Sequence, residues 1–157
     1  MSAVEDRLAE LGLAVPDVAM PVATYLPAVR DGNRIFTSGQ LPMVSGTLAA
    51  AGKVGQGPGL VPAEDAKKLA QICALNAIAA VKALVGDLDK VTRVVKVVGF
   101  VASDPGFTGQ PAVINGASEL LGTAFGDAGV HARSAVGVAV LPLDAPVEVE
   151  IIVSVQD

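Results

Sequence analysis

Tryptophan is absent, tyrosine occurs once and phenylalanine four times in 157 residues. So few rings leave little to stack on bases, and the 11 lysines and arginines are scattered under a formal net charge of −5. Binding nucleic acid through its phosphates needs a basic stripe, so no nucleic-acid partner is expected. A single cysteine, Cys73, excludes an internal disulfide and a cysteine-rich metal site, and a single histidine, His131, leaves no set of imidazoles for a metal centre. With no histidine beside it in the chain, Cys73 reads as a small buried apolar residue rather than a nucleophile. His131 reads as a surface loop residue. No uninterrupted apolar run approaches the roughly 20 residues of a membrane span. The acidic start, Met1 to Arg7, lacks the apolar stretch of a signal peptide. The expectation is a cytoplasmic protein with no membrane partner.

Charge is scarce too, at 17% of residues against about 25% in ordinary soluble domains. What fills the chain instead is Val, Ala, Leu and Ile, within a hydrophobic share of 52%. That is enough for one domain over 1–157 with an aliphatic core. The low charge argues that part of the surface is covered in an oligomer.

Leu8, Leu11 and Leu13 among acids predict a short amphipathic helix stopped by Gly12, a peripheral extension over 1–16. Val22 to Arg30 is β-prone, Asp31-Gly32-Asn33 is a hairpin signal, and Arg34 to Gln40 is the return strand, ending at Ser38-Gly39. Val44 to Leu60 is glycine-rich and reads as a long loop or loose hairpin. Pro62 with Glu64 and Asp65 predicts a helix start, and Gly86 its stop. Leu69, Ile72, Cys73, Asn76, Ala80 and Leu84 make its inner face, with Ile78 off it. A strand over Val91–Val101 follows, then a second helix over about 108–125 turning Val113, Ala117, Leu120, Leu121, Ala124 and Phe125 inward.

The chain closes on His131 to Val153, whose two β-branched arms flank Leu141-Pro142-Leu143-Asp144-Ala145-Pro146. This predicts a hairpin that brings Arg133 together with Glu148, with Glu148 and Glu150 on the face opposite Val147, Val149, Ile151 and Val153. The order of elements predicts an α+β fold with two helices on one face of a mixed sheet.

From about Tyr25 to Val153 these residues resemble the RidA/YjgF family of reactive-intermediate (imine) deaminases, also called the endoribonuclease L-PSP family. The resemblance rests on Tyr25 with Gly32-Asn33, on Phe36-Thr37-Ser38-Gly39-Gln40-Leu41-Pro42, on Asn115, on Ala132-Arg133-Ser134, and on Leu141-Pro142 with Val147-Glu148-Val149-Glu150. It implies a chorismate mutase-like fold and a homotrimer with clefts between subunits. It also implies hydrolysis of 2-imino or 2-enamino acids to 2-oxo acids and ammonia without a cofactor or metal. By resemblance Arg133 holds the substrate carboxylate and Glu148 positions water, while Tyr25, Ser38, Gly39 and Asn115 line the cleft.

The chain departs from the family pattern at Ala135, where many members have cysteine, and at Gly137, where many have glutamate. It departs again at Thr24, where a proline often stands, and in the longer 44–60 segment. The residues also admit plainer readings. Arg133 could cap the second helix or pair with a surface acid, Glu148 could be solvated or subunit-facing like Glu150, Tyr25 could be packing, and Asn115 an exposed helix residue. Two other functions stay open: a trimeric module that binds small carboxylates without turnover, and, disfavoured by the acidic charge and few aromatics, an endoribonuclease or translation inhibitor.

Overall fold

The computed structural model describes residues 1–157 except Ala19 and Val22. Its architecture is α+β: a five-stranded mixed sheet with helices on one face. The elements run α1 (Ala3–Glu10), β1 (Ala28–Asp31), β2 (Arg34–Thr37), β3 (Met43–Val44), β4 (Thr47–Leu48), α2 (Ala63–Val85), β5 (Val91–Ala102), α3 (Gln110–Phe125), β6 (Ala132–Val138) and β7 (Val147–Val155). The large sheet has the order β1-β2-β7-β5-β6, and β3 and β4 form a separate small hairpin within the glycine-rich segment.

The C-terminal ribbon is not a hairpin. β5 lies between its two arms, parallel to β6 through Val97↔Arg133 and antiparallel to β7 through Phe100↔Glu148. The 12-residue β5, rich in β-branched residues, offers hydrogen-bonding edges on both sides and takes one arm on each. The linker 139–146 steps over the end of β5, with the Ala102 amide donating to the Pro146 carbonyl at 2.9 Å and the Ser103 amide to Val138 at 3.0 Å. Tight hairpin loops use two to five residues, so the length of this linker already suits a crossing better than a turn.

β1 and β2 form the predicted hairpin about Gly32-Asn33, with Asp31 opposite Arg34. The first arm begins only at Ala28; of the strand expected from Val22, Val22 itself lies outside the described residues and Ala23 to Tyr25 form a bend. α2 begins after Pro62 and ends at Gly86, as its sequence predicts. By length and mean hydropathy (1.5) α2 would suffice to cross a membrane, but here it is the core helix, packed between the sheet and α3. That two-sided cover rotates its buried face from the expected one: Ile78 is wholly buried and Leu84 exposed. α3 keeps all six expected inward residues buried.

α1 is more than a peripheral cap. Ser2 and Glu5 close a capping box at its start, and Val4 and Leu8 enter the core beside α3. The opposite face of the sheet is uncovered in the single chain. Phe36 and Val136 are 38% and 44% exposed there, among half-buried Val98, Phe100, Ile152, Glu148 and Glu150.

Candidate functional site

The segment after β2 is a β-bulge. Phe36 faces Ile152 and Gln40 faces Val149, so four steps on one strand oppose three on the other. The Thr37 hydroxyl accepts from the Ile151 amide at 3.0 Å, filling the gap the bulge leaves in the ladder. Ser38 is turned to the loop before β1: its amide donates to the Pro27 carbonyl at 2.8 Å and its hydroxyl to the Leu26 carbonyl at 2.6 Å. Tyr25, one residue earlier, is 56% exposed. Gly39 leaves room for Glu148, since a Cβ at Gly39 would stand 2.0 Å from Glu148 Oε1. Burial, and secondarily the charge of Glu150, push the Glu148 carboxyl above the usual carboxylate range. Ser38, Gly39 and Glu148 thus gather at one end of the β2–β7 seam, with Tyr25 in the bend that leads to the Leu26 and Pro27 carbonyls Ser38 bonds.

Arg133 belongs to a different group. Its parallel register with Val97 puts it on the helix-covered face of edge strand β6, against α3. Nη1 donates to Asn115 Oδ1 at 2.8 Å and to Ser118 Oγ at 3.2 Å, and Nη2 donates to the Pro111 carbonyl at 3.2 Å. These partners are neutral, and no carboxylate pairs with Arg133 among the described residues. A guanidinium has five donors, so two remain for a planar anion. The pairing with a surface acid is therefore not what holds this residue, and its helix contacts, to Pro111, Asn115 and Ser118, run over the first three turns of α3 rather than the C-terminal region. Ala135 and Gly137 continue along the same face, and the Gln110 amide occupies the space beside Gly137, 2.8 Å from where a Cβ would be. Gln110 Nε2 also donates to Ser103 Oγ at 3.1 Å and to the Phe107 carbonyl at 2.8 Å.

Arg133 and Asn115 are brought together, as are Gly39 and Glu148, but Arg133 and Glu148 are not. They project from opposite faces of the sheet with β5 between them. A family model described as "YjgF/chorismate mutase-like, putative endoribonuclease" matches residues 5–154. The chain belongs to this YjgF/chorismate mutase-like family. Among its relatives, Protein TCP17 of Trypanosoma cruzi is 40% identical over 152 residues, which cover 96% of this chain and 93% of that one. The Agrobacterium tumefaciens protein Atu1372, of unknown function, is 48% identical with a TM-score of 0.90, over 98% of this chain and 93% of that one. E. coli TdcF, solved with bound serine, is 26% identical with a TM-score of 0.62, over 89% and 94%. The mixed sheet with helices on one face is the YjgF-like fold that the resemblance implied.

Against the YjgF-like pattern, Ser118 and His131 are residues that sequence reasoning passed over, although both touch the Arg133 cluster. The signal for Ser118 was its spacing, one helical turn after Asn115, which puts both on one face of α3. His131, read as a surface loop residue, is half-buried with both ring nitrogens bonded. Cys73 is fully buried, and burial raises its thiol far above the usual range, which keeps it inert. A cavity of about 590 Å³ lies elsewhere, between residues 12–18, the β3–β4 hairpin and α2. Its walls are mainly apolar, and the Asn76 amide there is committed to the Leu41 and Met43 carbonyls at 3.1 and 3.0 Å.

Proposed function

We infer that the chain hydrolyses small 2-imino or 2-enamino acids to 2-oxo acids and ammonia. The observation that carries this reading is Arg133, a permanent cation held by neutral oxygens with two donors left over. Such a group matches a carboxylate in one plane, and charge-assisted bonds of this kind contribute about 1.5–3 kcal/mol each. The serine bound to the related TdcF is itself a small carboxylate.

The imine gains a proton at nitrogen, or the enamine at C3, to give the iminium, and water adds to its C2. Glu148 orients that water, takes its proton and returns it to the nitrogen; the C2–N bond then breaks, the nitrogen leaves as ammonia, and the C2 hydroxyl gives up its proton to Glu148 as the C2–O bond becomes the ketone. A carboxyl pushed up by burial holds a proton closer to neutral pH than an ordinary one, which suits this base and acid exchange. Since Arg133 and Glu148 lie on opposite faces of one sheet, a cleft holding both needs a second copy of the chain. The uncovered sheet face with Phe36 and Val136 supports such an assembly, and the homotrimer is the form the resemblance implies. Light scattering should then return three times the 15.7 kDa chain mass.

Incubation with a pyridoxal-phosphate enzyme that releases 2-aminoacrylate tests the activity. Ketoacid release should accelerate, and Arg133→Ala should remove most of the gain at low substrate; no acceleration by the unmodified protein overturns the reading. Gly137, whose space the Gln110 amide takes where many relatives carry glutamate, favours a second reading as a carboxylate-binding module without turnover. A thermal shift with 2-oxo acids and no hydrolysis would select it. RNA cleavage surviving rigorous nuclease removal would instead select the endoribonuclease reading.

A further inference from the structure

We propose that Ser118 and His131 are positioning residues that hold the Arg133 guanidinium in register for a substrate carboxylate through one directed hydrogen-bond relay. The proposal rests on the carboxylate-clamp reading of Arg133 and assigns the residues that act behind it. Gly129 begins the relay. A Cβ on Gly129 would lie 2.3 Å from the Leu121 carbonyl oxygen, so its missing side chain lets the turn over 126–129 press directly on α3. That contact fixes the Gly129 carbonyl, which lies 2.6 Å from His131 Nδ1.

The direction of every bond then follows from chemistry. A carbonyl can only accept, so Nδ1 carries a proton, and in the singly protonated ring Nε2 then presents a lone pair. Nε2 stands 2.9 Å from Ser118 Oγ, so the hydroxyl donates to it. The Ser118 oxygen is thereby free to accept, and Arg133 Nη1 donates to it at 3.2 Å while donating to Asn115 Oδ1 at 2.8 Å. Each Nη1 hydrogen is engaged, which locks rotation of the guanidinium about its long side chain. Nε and the remaining Nη2 hydrogen are left to the ligand. Were the ring turned so that Nε2 donated, Ser118 would be surrounded by two donors, and its own proton would lose the only acceptor the described residues offer it. A locked planar cation loses less freedom when it captures a carboxylate than a mobile one. The relay should therefore act mainly on substrate binding.

His131 is the only histidine, so ¹⁵N-histidine labelling of the full-length protein gives one ring to observe. The expected spectrum is that of the Nδ1–H tautomer; an Nε2–H tautomer overturns the proposal whether or not the protein is a deaminase. In Ser118→Ala, KM for the imino acid, or the dissociation constant for 2-oxobutanoate as probe, should rise about tenfold, with kcat changed less than about twofold. Ser118→Thr, which keeps the hydroxyl, should restore the native value. His131→Gln, which keeps an acceptor near the Nε2 position, should bind better than His131→Phe. A purely structural role would lower the unfolding midpoint and the active fraction together and leave KM in place, which counts against the relay. If the unmodified protein binds 2-oxobutanoate but turns nothing over, the deaminase reading fails while the tautomer and the Ser118→Ala dissociation constant still decide this one. If it does not bind the probe at all, the clamp reading fails, and slow Arg133 guanidinium rotation in the unmodified protein but fast rotation in Ser118→Ala decides the relay.

Discussion

Around Arg133 a permanent cation is surrounded by neutral oxygens of α3, whereas at the β2–β7 seam Glu148 is an anion pressed over a bulge, with no donor to its carboxylate among the described residues. The difference lies in what each environment can change. A guanidinium keeps its charge in any surroundings, so its neighbours decide only where it points. A carboxylate can lose its charge, so burial at Glu148 sets its protonation instead. The first half is thus suited to holding an anion, the second to moving a proton.

Glu148→Gln should have the largest effect, lowering kcat by about 10²–10⁴-fold. The same change should raise stability at neutral pH. A carboxyl raised in the folded state contributes stability that is fully present below its unfolded pKa, about 4.3, and lost as pH rises through the folded value. Urea unfolding across that window should lose this slope in the variant. A loss of both activity and stability would break the comparison, because it would make Glu148 a structural anion.

Arg133→Ala should lower kcat/KM by about 10²-fold, expressed mainly in KM, with little change in the unfolding midpoint since its partners are neutral and can turn to water. Arg133→Lys should recover little, because an ammonium cannot reproduce the planar fork. Initial-rate kinetics with calorimetric unfolding check both.

Gly39→Ala places a methyl where Glu148 Oε1 lies. The carboxylate is the flexible end of a side chain and can swing aside, so stability should fall by less than about 1 kcal/mol while kcat drops about tenfold. A silent result in kcat would separate Glu148 from its bulge.

The smallest effect is a control far from both halves. Glu5 is bonded to the Lys82 ammonium and then to the Ser2 amide and hydroxyl, which bring its carboxyl down to about 2. Its sign is opposite to that of Glu148: the stability is present above the unfolded pKa and lost as pH falls from about 4.3 towards 2. Glu5→Gln should flatten only that acid limb of the unfolding curve and leave turnover unchanged.

Elements whose period or punctuation is local were legible in the chain. Pro62 and Gly86 bracket α2, Asp31-Gly32-Asn33 turns the first hairpin, and the alternation from Val147 to Val153 separates Glu148 and Glu150 from the core. Strand partners were not legible. The arms around Arg133 and Glu148 each have the pattern of a strand, but nothing in that pattern says that β5 will lie between them. For the same reason the spacing of Arg133 and Glu148 identified candidate residues and misjudged their proximity. Ser118 and His131 are mute in sequence, because a hydroxyl and an imidazole gain direction only from the groups that face them.

The sequence by itself determined an acidic, aliphatic α+β fold of the YjgF-like kind, since periodicity, turn residues and motif spacing are properties of the chain. Only the tertiary structure decided that β5 separates Arg133 from Glu148. Choosing among equally good sheet edges depends on how the two helices and the linker over the end of β5 pack together, and that choice is made by the whole core at once.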